Sequence, residues 1–321
     1  MTQTYLVTGA KGFIGSYLVK HLMKENVGHI IAVDFKNTAN QESEFVGESK
    51  LSLLDMDLTD SRQVLSLPEV DYVFHLAAIN GTSNFYKKSW HTFFNSSQST
   101  INLVNRYKES KSLKRFIYTS TSEVYASMSD AGFAKIPTPE NTPVGFVDLK
   151  NPRWSYGGAK LLSEIALLAA SNQFPFDFSI IRYHNVYGPR MGYDHVIPDF
   201  IDRARRGVFE LYGAENMRSF IYIDDAIEAT FKIAFSEAAN KQIVHVGTEE
   251  MLTMRDLAKK LMVLADWEGA VLEHPAPVGS VLARCPDTTF LKEEVEFNPR
   301  YSLERGLKLT LDEYLGTGSE E

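Results

Sequence analysis

Tyr156 and Lys160 stand four residues apart in the stretch NPRWSYGGAKLLSEIALLAA, which covers residues 151–170. On a helix this spacing places both side chains on one face. An ammonium group close to a phenol lowers the pKa of the phenol, because the positive charge favours the phenolate. Such a phenol can remove the proton of an alcohol while a hydride leaves the same carbon. The pair therefore predicts a catalytic base, provided that other chemistry lies nearby.

A second polar group, Thr121, Ser122 and Glu123, lies in the stretch YTSTSEVY at residues 118–125. It follows a strand-like run, so we expect it at the carboxyl end of a sheet, where open α/β folds bind their ligands. A hydroxyl in that place can hydrogen-bond a reacting oxygen, and Glu123 can serve as an acid or a base.

Strand-like and helix-like runs alternate through the first 180 residues and must position these groups. Strands that are apolar on both faces and alternate with helices indicate a parallel sheet covered by helices on each side. Right-handed crossovers then give an α/β fold with a doubly wound sheet of the Rossmann type. The predicted strands are 4–9, 29–34, 50–55, 72–77, 115–120 and 178–183, and the predicted helices lie near 13–25, 60–66, 91–110 and 156–172.

The later part of the chain predicts a second, smaller domain. Residues 127–152 contain several Pro, Gly and Asn residues, which is typical of a loop, here over a cleft. The first domain is predicted over 1–183 and a substrate-binding domain over 184–321, where the elements become short and irregular. Apolar stretches near 219–248 return to the first domain, so the two domains are interleaved.

Three glycines spaced by three, Gly9, Gly12 and Gly15, separate the first predicted strand from the first predicted helix. Gly9 can adopt a turn that a β-carbon forbids. Gly12 lets a pyrophosphate approach the backbone, and Gly15 lets the helix pack against the strand. The N–H groups at the helix start, near Phe13 and Ile14, and the helix dipole then face the phosphates.

Asp34 ends the second predicted strand, 19 residues after Gly15. A dinucleotide-binding fingerprint has an acid about 20 residues on, where the carboxylate holds the adenosine ribose hydroxyls. Because a carboxylate repels a 2′-phosphate, Asp34 favours NAD over its phosphorylated form, although Lys36 argues slightly the other way. The first strands therefore predict a bound NAD.

The composition excludes several classes of protein. The 321-residue chain has a net charge of −8, so the basic footprint of a nucleic-acid-binding protein is missing. No apolar run approaches the roughly 18 residues of a membrane-spanning helix. The single cysteine, Cys285, excludes a disulfide within the chain and predicts a reducing, cytoplasmic location. No group of Cys, His and carboxylate residues has the spacing of a metal site.

Together these stretches resemble the extended short-chain dehydrogenase/reductase family, which includes nucleotide-sugar epimerases, dehydratases and decarboxylases. The resemblance covers nearly the whole chain and implies an enzyme that uses NAD to oxidise the C4 hydroxyl of a nucleotide-diphosphate sugar. It rests on TGAKGFIG (8–15), VD (33–34), DMDLTD (55–60), HLAA (75–78), STSEVY (120–125), YGGAK (156–160), RYHNVYGPRM (182–191), RSFIYIDDA (218–226) and RCPD (284–287).

The resemblance implies further contacts to the cofactor. Asp57 and Leu58 are expected to flank the adenine, and Ala77 is expected to line the cofactor. Tyr183 is expected beside the nicotinamide amide.

The resemblance also implies contacts to the substrate. Tyr156 and Lys160 act as the base pair, Asn185 touches the diphosphate, and Arg190 and Arg218 bind its charged oxygens. The residue chemistry agrees for the two arginines, because a diphosphate needs forked cationic donors.

One predicted helix departs from the family pattern, which usually has an Asn followed by Gly-Thr. In FFNSSQSTINLV (93–104), Ser96 stands where that Asn is expected, Asn95 lies one position early, and Ser99 replaces the glycine. A one-residue slip turns a helical side chain by about 100°. Asn95 is therefore predicted to miss the site.

The stretches STSEVY and PRWSY (152–156) are most similar to those of UDP-glucuronate decarboxylases. A ketone at C4 makes the C6 carboxylate part of a β-keto acid, which loses carbon dioxide readily. In such a reaction Glu123 helps to manage the C5 proton and Arg218 holds the carboxylate. Dehydratases usually carry an Asp at the position of Ser122, and a serine is a poor acid, so 4,6-dehydration is disfavoured.

Two alternatives stay open. A 4-epimerase returns the hydride to the other face of a rotated ketone, and it is a close rival because HLAAINGTSNFY (75–86) and the long loop after Tyr125 differ from the decarboxylases. An inactive dinucleotide sensor on the same fold is the alternative from another class. Such sensors typically lose the catalytic tyrosine or lysine, and both are present here.

The helices predicted near 91–110 and 156–172 carry apolar faces larger than one sheet layer needs. By family resemblance, two copies of the chain are expected to pair through these helices in a homodimer with a four-helix bundle.

Overall fold

The computed structural model describes residues 3–35, 48–276 and 280–316. Lys36 and the tail beyond Gly316 lie outside these ranges. In chain order the strands are β1 (Thr4–Thr8), β2 (His29–Asp34), β3 (Leu51–Asp55), β4 (Tyr72–His75), β5 (Arg115–Thr121), β6 (Phe178–Tyr183), β7 (Val186–Tyr187), β8 (Phe209–Tyr212), β9 (Met217–Ser219), β10 (Ile221–Tyr222), β11 (Gln242–Val246), β12 (Met251–Thr253), β13 (Val271–His274) and β14 (Ala283–Arg284).

The helices alternate with the strands of the central sheet and continue to the end of the described chain. In chain order they are α1 (Phe13–Lys24), α2 (Ser61–Leu65), α3 (Thr82–Lys87), α4 (Ser89–Tyr107), α5 (Ala126–Asp130), α6 (Trp154–Gln173), α7 (Val196–Arg205), α8 (Ile223–Phe235), α9 (Met254–Leu264), α10 (Thr289–Glu293) and α11 (Leu303–Leu315). A short 3₁₀ helix, Ser122–Tyr125, follows β5 directly.

A seven-stranded parallel sheet forms the centre of the molecule, with the order β11-β6-β5-β4-β1-β2-β3. Six of its strands and four of the helices were predicted from the sequence, and the structure confirms them to within a few residues at their ends. The order 3-2-1-4-5-6 is that of the Rossmann fold. The predicted doubly wound sheet is therefore confirmed.

Helices cover both faces of this sheet, which explains why its inner strands are apolar throughout. Every residue of β5 and β6 is buried. Side chains of α1 and α8 pack on one face, and side chains of α2, α4 and α6 pack on the other. Such two-sided burial selects continuous apolar runs rather than alternation.

The segment near 219–248 returns to the sheet. The helix α8 packs beside α1, and β11 then pairs with β6 as the seventh strand. The neighbouring short strands form three small sheets, β7 with β10, β8 with β13, and β9 between β12 and β14. These sheets and α7 stand opposite the carboxyl ends of the central strands and supply the second wall of a cleft.

The loop predicted over 127–152 is largely irregular, with α5 at its start. Thr138 forms an isolated parallel bridge with Pro286. The Thr138 N–H donates to the Cys285 carbonyl at 2.8 Å, and the Asp287 N–H donates to the Thr138 carbonyl at 2.8 Å. The loop therefore fixes the segment that contains Arg284.

Within the described ranges, no helix has the length and apolar character that crossing a bilayer requires. The same residues contain no group of three or more His, Cys, Asp or Glu side chains arranged to hold a metal ion.

Candidate active site

A cleft of about 700 Å³ opens at the carboxyl ends of the central strands, next to the point where the strand order reverses between β1 and β4. It brings together most residues that the sequence singled out. Those lining it are Gly9, Gly12, Phe13, Ile14, Gly15, Asp34, Leu58, Ala77, Thr121, Ser122, Glu123, Tyr156, Lys160, Tyr183, Asn185 and Arg218.

The glycine turn packs so tightly that side chains would not fit. Gly9 has a φ of +70°, in the left-handed region. A Cβ on Gly9 would lie 2.8 Å from the Ala77 nitrogen, and a Cβ on Gly15 would lie 2.0 Å from the Gly9 carbonyl oxygen. No side chain caps the start of α1, which begins after Gly12. The helix N-terminus can therefore hold an anionic group such as a pyrophosphate.

We expect Gly15→Ala to abolish NAD binding and to destabilise the protein by about 1–3 kcal/mol, because α1 must move away from the turn to admit the methyl group. Isothermal titration with NAD and thermal unfolding measure the two effects. Gly192→Ala is the matched control, since a Cβ there meets no atom within 4 Å. Wild-type NAD affinity in the Gly15 variant would contradict this account of the turn.

Asp34 is oriented at the end of β2 by two backbone donors. Its Oδ2 accepts from the Lys11 N–H at 2.8 Å, and its Oδ1 accepts from the Phe35 N–H at 2.8 Å. The Lys11 ammonium is buried and lies 2.8 Å from the Asp55 carboxylate, so this lysine does not line the cleft. The carboxylate of Asp34 thus stands at the adenosine end of the cleft, as a ribose-binding acid requires.

Two residues expected at the site do not line the cleft. The Asp57 carboxylate accepts from the Thr59 N–H at 2.8 Å and from the Thr59 hydroxyl at 2.7 Å, and so it braces the loop. Its neighbours Leu58 and Thr59 do line the cleft. Arg190 has a φ of +70° and also lies outside the lining.

Tyr156 and Lys160 share one face of α6 at the floor of the cleft. The Tyr156 ring is stacked on Phe85, with 4.9 Å between ring centroids and 9° between planes. The Lys160 Nζ donates to the Thr119 carbonyl at 2.6 Å and lies 5.9 Å from the centroid of the Tyr156 ring. Both side chains are therefore held in fixed positions by β5 and α3.

Burial dominates the electrostatics of this pair. It lowers the pKa of Lys160 to about 7, with Glu164 acting in the opposite direction. Burial, followed by the charge of Glu123, raises the pKa of Tyr156, against a hydrogen bond from Thr121. The net shift of the Tyr156 pKa is therefore upward, because burial disfavours the charged phenolate more than the neighbouring groups favour it.

Glu123 is held by two arginines that the sequence analysis left without a role. Arg284 forms a bidentate ion pair with it, at 2.7 and 3.0 Å, and Arg153 approaches the same carboxylate at 3.2 Å. Burial would raise the pKa of Glu123, but Arg284 and Arg153 lower it to about 2. Glu123 is therefore ionised in this arrangement, which does not suit a proton donor but leaves the predicted role of a base open.

We call Arg153, Arg218 and Arg284 the arginine cluster, since all three line the cleft and all three lower the pKa of Glu123. Arg218 donates to the Met217 and Val281 carbonyls, at 2.7 and 2.6 Å. The motifs PRWSY and RCPD contain Arg153 and Arg284, but nothing in the sequence indicated that these two arginines contact the same carboxylate.

Asn185 and Tyr183 reach the cleft from the end of β6. Asn185 has a φ of +43°, a conformation that Asn tolerates, and its amide donates to the Ser219 carbonyl at 2.8 Å. The Tyr183 hydroxyl is hydrogen-bonded to Thr230 inside the core, so the ring rather than the hydroxyl faces the cleft.

Asn95 lines the cleft, although its position in the helix predicted the opposite. Its amide donates to the His91 carbonyl at 2.8 Å. Ser96, which replaces the family's Asn, is fully buried, and its hydroxyl has no hydrogen-bond partner among the described residues. The orientation of α4 therefore turns Asn95, not the next residue, toward the site.

A Rossmann sheet, a glycine turn followed by Asp34, and a buried Tyr–Lys pair in one cleft define an NAD-dependent enzyme. The chain belongs to the NAD dependent epimerase/dehydratase family, whose model matches residues 5–247. It is 32% identical over 326 residues to a UDP-N-acetyl-alpha-D-glucosaminuronate decarboxylase of Bacillus cytotoxicus, with 97% of each chain covered. It is 29% identical to GDP-mannose 3,5-epimerase 1 of Oryza sativa subsp. indica, covering 95% of this chain and 79% of that protein.

Solved structures of nucleotide-sugar enzymes share the whole fold. The UDP-glucose 4-epimerase of Thermotoga maritima has a TM-score of 0.86 and 26% identity, with 98% of this chain and 99% of that chain covered. The UDP-glucuronic acid 4-epimerase of Bacillus cereus, solved with UDP-glucuronic acid and NAD, has the same TM-score and coverage at 25% identity. The glycine turn, the uncapped start of α1 and Asp34 fit NAD, which is the enzyme's cofactor.

Proposed function

We propose that this protein is a decarboxylase of UDP-linked uronic acids. The observation that carries the proposal is the arginine cluster, which lines the same cleft as Tyr156 and of which Arg153 and Arg284 contact the Glu123 carboxylate. Three guanidinium groups line the same cleft, so cationic, forked donors are concentrated there although the protein as a whole is acidic. A substrate with a diphosphate and a sugar carboxylate supplies the matching anions. The name of the Bacillus cytotoxicus relative supports the same reaction class.

In the proposed reaction, the Tyr156 oxygen takes the proton of the sugar C4 hydroxyl. NAD, when bound, supplies the hydride acceptor for C4 and later returns the hydride. The C5–C6 bond of the resulting β-keto acid breaks, carbon dioxide leaves, and the electron pair forms the enolate of C5 and C4. C5 then takes a proton from solvent, and after the hydride returns to C4 the C4 oxygen regains the proton held by Tyr156. The Thr121 hydroxyl, which lines the cleft with Tyr156 and lowers the pKa of its phenol, helps to hold the reacting oxygen. The Lys160 ammonium favours the phenolate form of Tyr156, which is the form that can take the proton.

The remaining site residues receive proposed roles by their position. Asp34, Leu58 and Ala77 hold the adenosine half of NAD, with Phe13 and Ile14 at the phosphates, and Tyr183 packs near the nicotinamide. Asn185 and Arg218 bind the diphosphate. We propose the division into an NAD-binding part, 1–183 with the return near 219–248, and a substrate-binding part within 184–321. The pairing of β11 with β6 supports this division.

A uronate 4-epimerase is the second candidate. It is favoured by the likeness to the UDP-glucuronic acid 4-epimerase of Bacillus cereus, and the arginine cluster suits a retained carboxylate equally well. A 4,6-dehydratase is disfavoured, because the buried Ser122 occupies the position expected for the acid.

A substrate panel tests the proposal. The purified protein with NAD is incubated with UDP-glucuronate, its 2-acetamido counterpart and UDP-glucose, and products are followed by mass spectrometry and NMR. We expect loss of carbon dioxide from a uronate. An unchanged mass with an inverted C4 supports the epimerase, and loss of water contradicts both candidates. The absence of turnover across UDP-, GDP-, CDP- and dTDP-sugars identifies the protein as an inactive dinucleotide sensor.

We propose a homodimer that pairs through α4 and α6. These two helices pack side by side and leave large apolar side chains exposed, including Trp90, Phe94 and Ile165. An apolar surface of this kind is typical of a protein–protein contact. The buried, single Cys285 supports a cytoplasmic location, where thiols stay reduced.

Ile165→Asp is expected to convert the dimer into a monomer, because a charge cannot be buried unpaired at the centre of the contact. Light scattering after size exclusion should fall from twice the chain mass to 36.2 kDa. Val263→Asp is the control, since Val263 is an exposed apolar residue on α9. A wild-type chain that elutes as a monomer at micromolar concentration overturns the proposal.

A further inference from the structure

A buried ion pair lies one helical turn beyond Lys160 and has no part in the chemistry described above. Glu164 on α6 faces Arg182 on β6, with 3.0 Å between Arg182 Nε and Glu164 Oε1 and 2.6 Å between Arg182 Nη2 and Glu164 Oε2. The Ser120 hydroxyl donates to the same Oε1. The side chains of Glu164 and Arg182 are 2% and 3% exposed.

Stability alone does not account for this pair. Moving two charges out of water costs about as much as their attraction returns, and apolar side chains of similar size often serve a core equally well. The two side chains lie between the sheet and α6, the helix that also carries Tyr156 and Lys160, where α6 packs on β5. Its position therefore points to a function in the site.

Lys160 is the neighbouring group whose protonation the charge of Glu164 can influence. Its ammonium is enclosed by the Thr119 carbonyl, the Tyr118 ring at 4.8 Å and the Tyr156 ring at 5.9 Å. His75 on β4 is fully buried, and burial keeps its pKa well below the ordinary value, so it brings no charge. Among the described residues, Glu164 is the carboxylate whose charge raises the pKa of Lys160.

We propose that Glu164 is a positioning residue that keeps Lys160 in its charged form, while the Ser120 hydroxyl and the positive charge of Arg182 retain the Glu164 carboxylate in the core. The inference rests on the proposed role of Lys160 beside Tyr156. Glu164 lies four residues after Lys160 on the same helix face, a spacing at which opposite charges interact. Because Thr119 and Ser120 are consecutive on β5, this strand holds both the ammonium and the carboxylate.

The test is the pKa of Lys160, measured by NMR of protein labelled with ¹³C at the lysine ε-carbon, with the signal assigned by its loss in Lys160→Met. We expect Glu164→Gln to lower this pKa by about one unit or more, since the isosteric amide removes only the charge. Glu164→Asp and Arg182→Lys are the controls. Each disturbs the geometry of the ion pair but retains both charges, so each should leave the pKa of Lys160 near its wild-type value.

Two results overturn the proposal: an unshifted Lys160 in folded Glu164→Gln, or an equal decrease in Arg182→Lys. The NMR titration needs no substrate, so its result does not depend on whether the proposed reaction is correct. Where a uronate is turned over, Glu164→Gln should lower kcat at neutral pH, with recovery at lower pH where Lys160 regains its proton, and leave KM nearly unchanged. If the Gln variant does not fold, the Asp variant still tests the charge, because a lowered Lys160 pKa there contradicts the proposal.

Discussion

Tyr156→Phe is expected to reduce turnover of the uronate substrate about 1,000-fold, the size of effect typical of losing a catalytic base. The variant lacks the oxygen that takes the C4 proton. The ring itself stays, so its stacking on Phe85 and the packing of α6 are retained. The measurement is kcat from the rate of product formation at saturating substrate and NAD.

Two controls separate chemistry from folding in this variant. The thermal midpoint and the NAD affinity of Tyr156→Phe should match those of the wild type. Tyr86→Phe, which removes a hydroxyl from an exposed side chain on α3, should keep full activity. Substantial turnover by Tyr156→Phe would show that another group is the base, and Thr121 would be examined next, because it lines the same cleft.

Arg284→Gln is expected to lower kcat/KM for UDP-uronates about 100-fold, which corresponds to about 2.7 kcal/mol of lost transition-state stabilisation. Arg284 is a forked cationic donor, as its contact with Glu123 at 2.7 and 3.0 Å shows, and we expect it to hold the sugar carboxylate in the bound state; Gln cannot reproduce such a contact. Affinity for UDP, which has no sugar carboxylate, should fall much less. Steady-state kinetics with the uronate and titration with UDP give the comparison.

The same substitution changes the state of Glu123. Without Arg284, burial raises the pKa of this carboxyl from about 2. A depressed carboxyl pKa stabilises the fold above the unfolded pKa and loses this effect as the pH falls toward the folded value. As the pH is lowered, Arg284→Gln should therefore unfold at a higher pH than the wild type. Arg62→Gln, at a fully exposed arginine, is the control.

Equal decreases in the affinity for UDP and in kcat/KM for the uronate would assign Arg284 to binding of the diphosphate instead.

The parts of the site that the sequence predicted well are local in the chain. The glycine turn and Asp34 belong to one strand–helix–strand unit, and Tyr156 and Lys160 belong to one helix. Each prediction used a spacing that a single element converts into geometry, such as four residues for one helix face. The structure places all of these residues in one cleft.

The parts that the sequence did not predict depend on contacts between distant segments. Arg284 reaches Glu123 across 161 positions of the chain, because the loop that includes Thr138 pairs with the strand end beside Pro286. Asn95 reaches the cleft because of the rotation of α4 against the sheet, which no local pattern encodes.

The sequence by itself determined the doubly wound sheet, the cofactor and the placement of Tyr156 and Lys160 on one helix face, because periodicity and spacing are properties of neighbouring residues. Only the tertiary structure decided the electrostatics. Desolvation depends on everything that packs around a group, and so burial raises the pKa of Tyr156, lowers that of Lys160 to about 7 and leaves Glu123 ionised between two arginines.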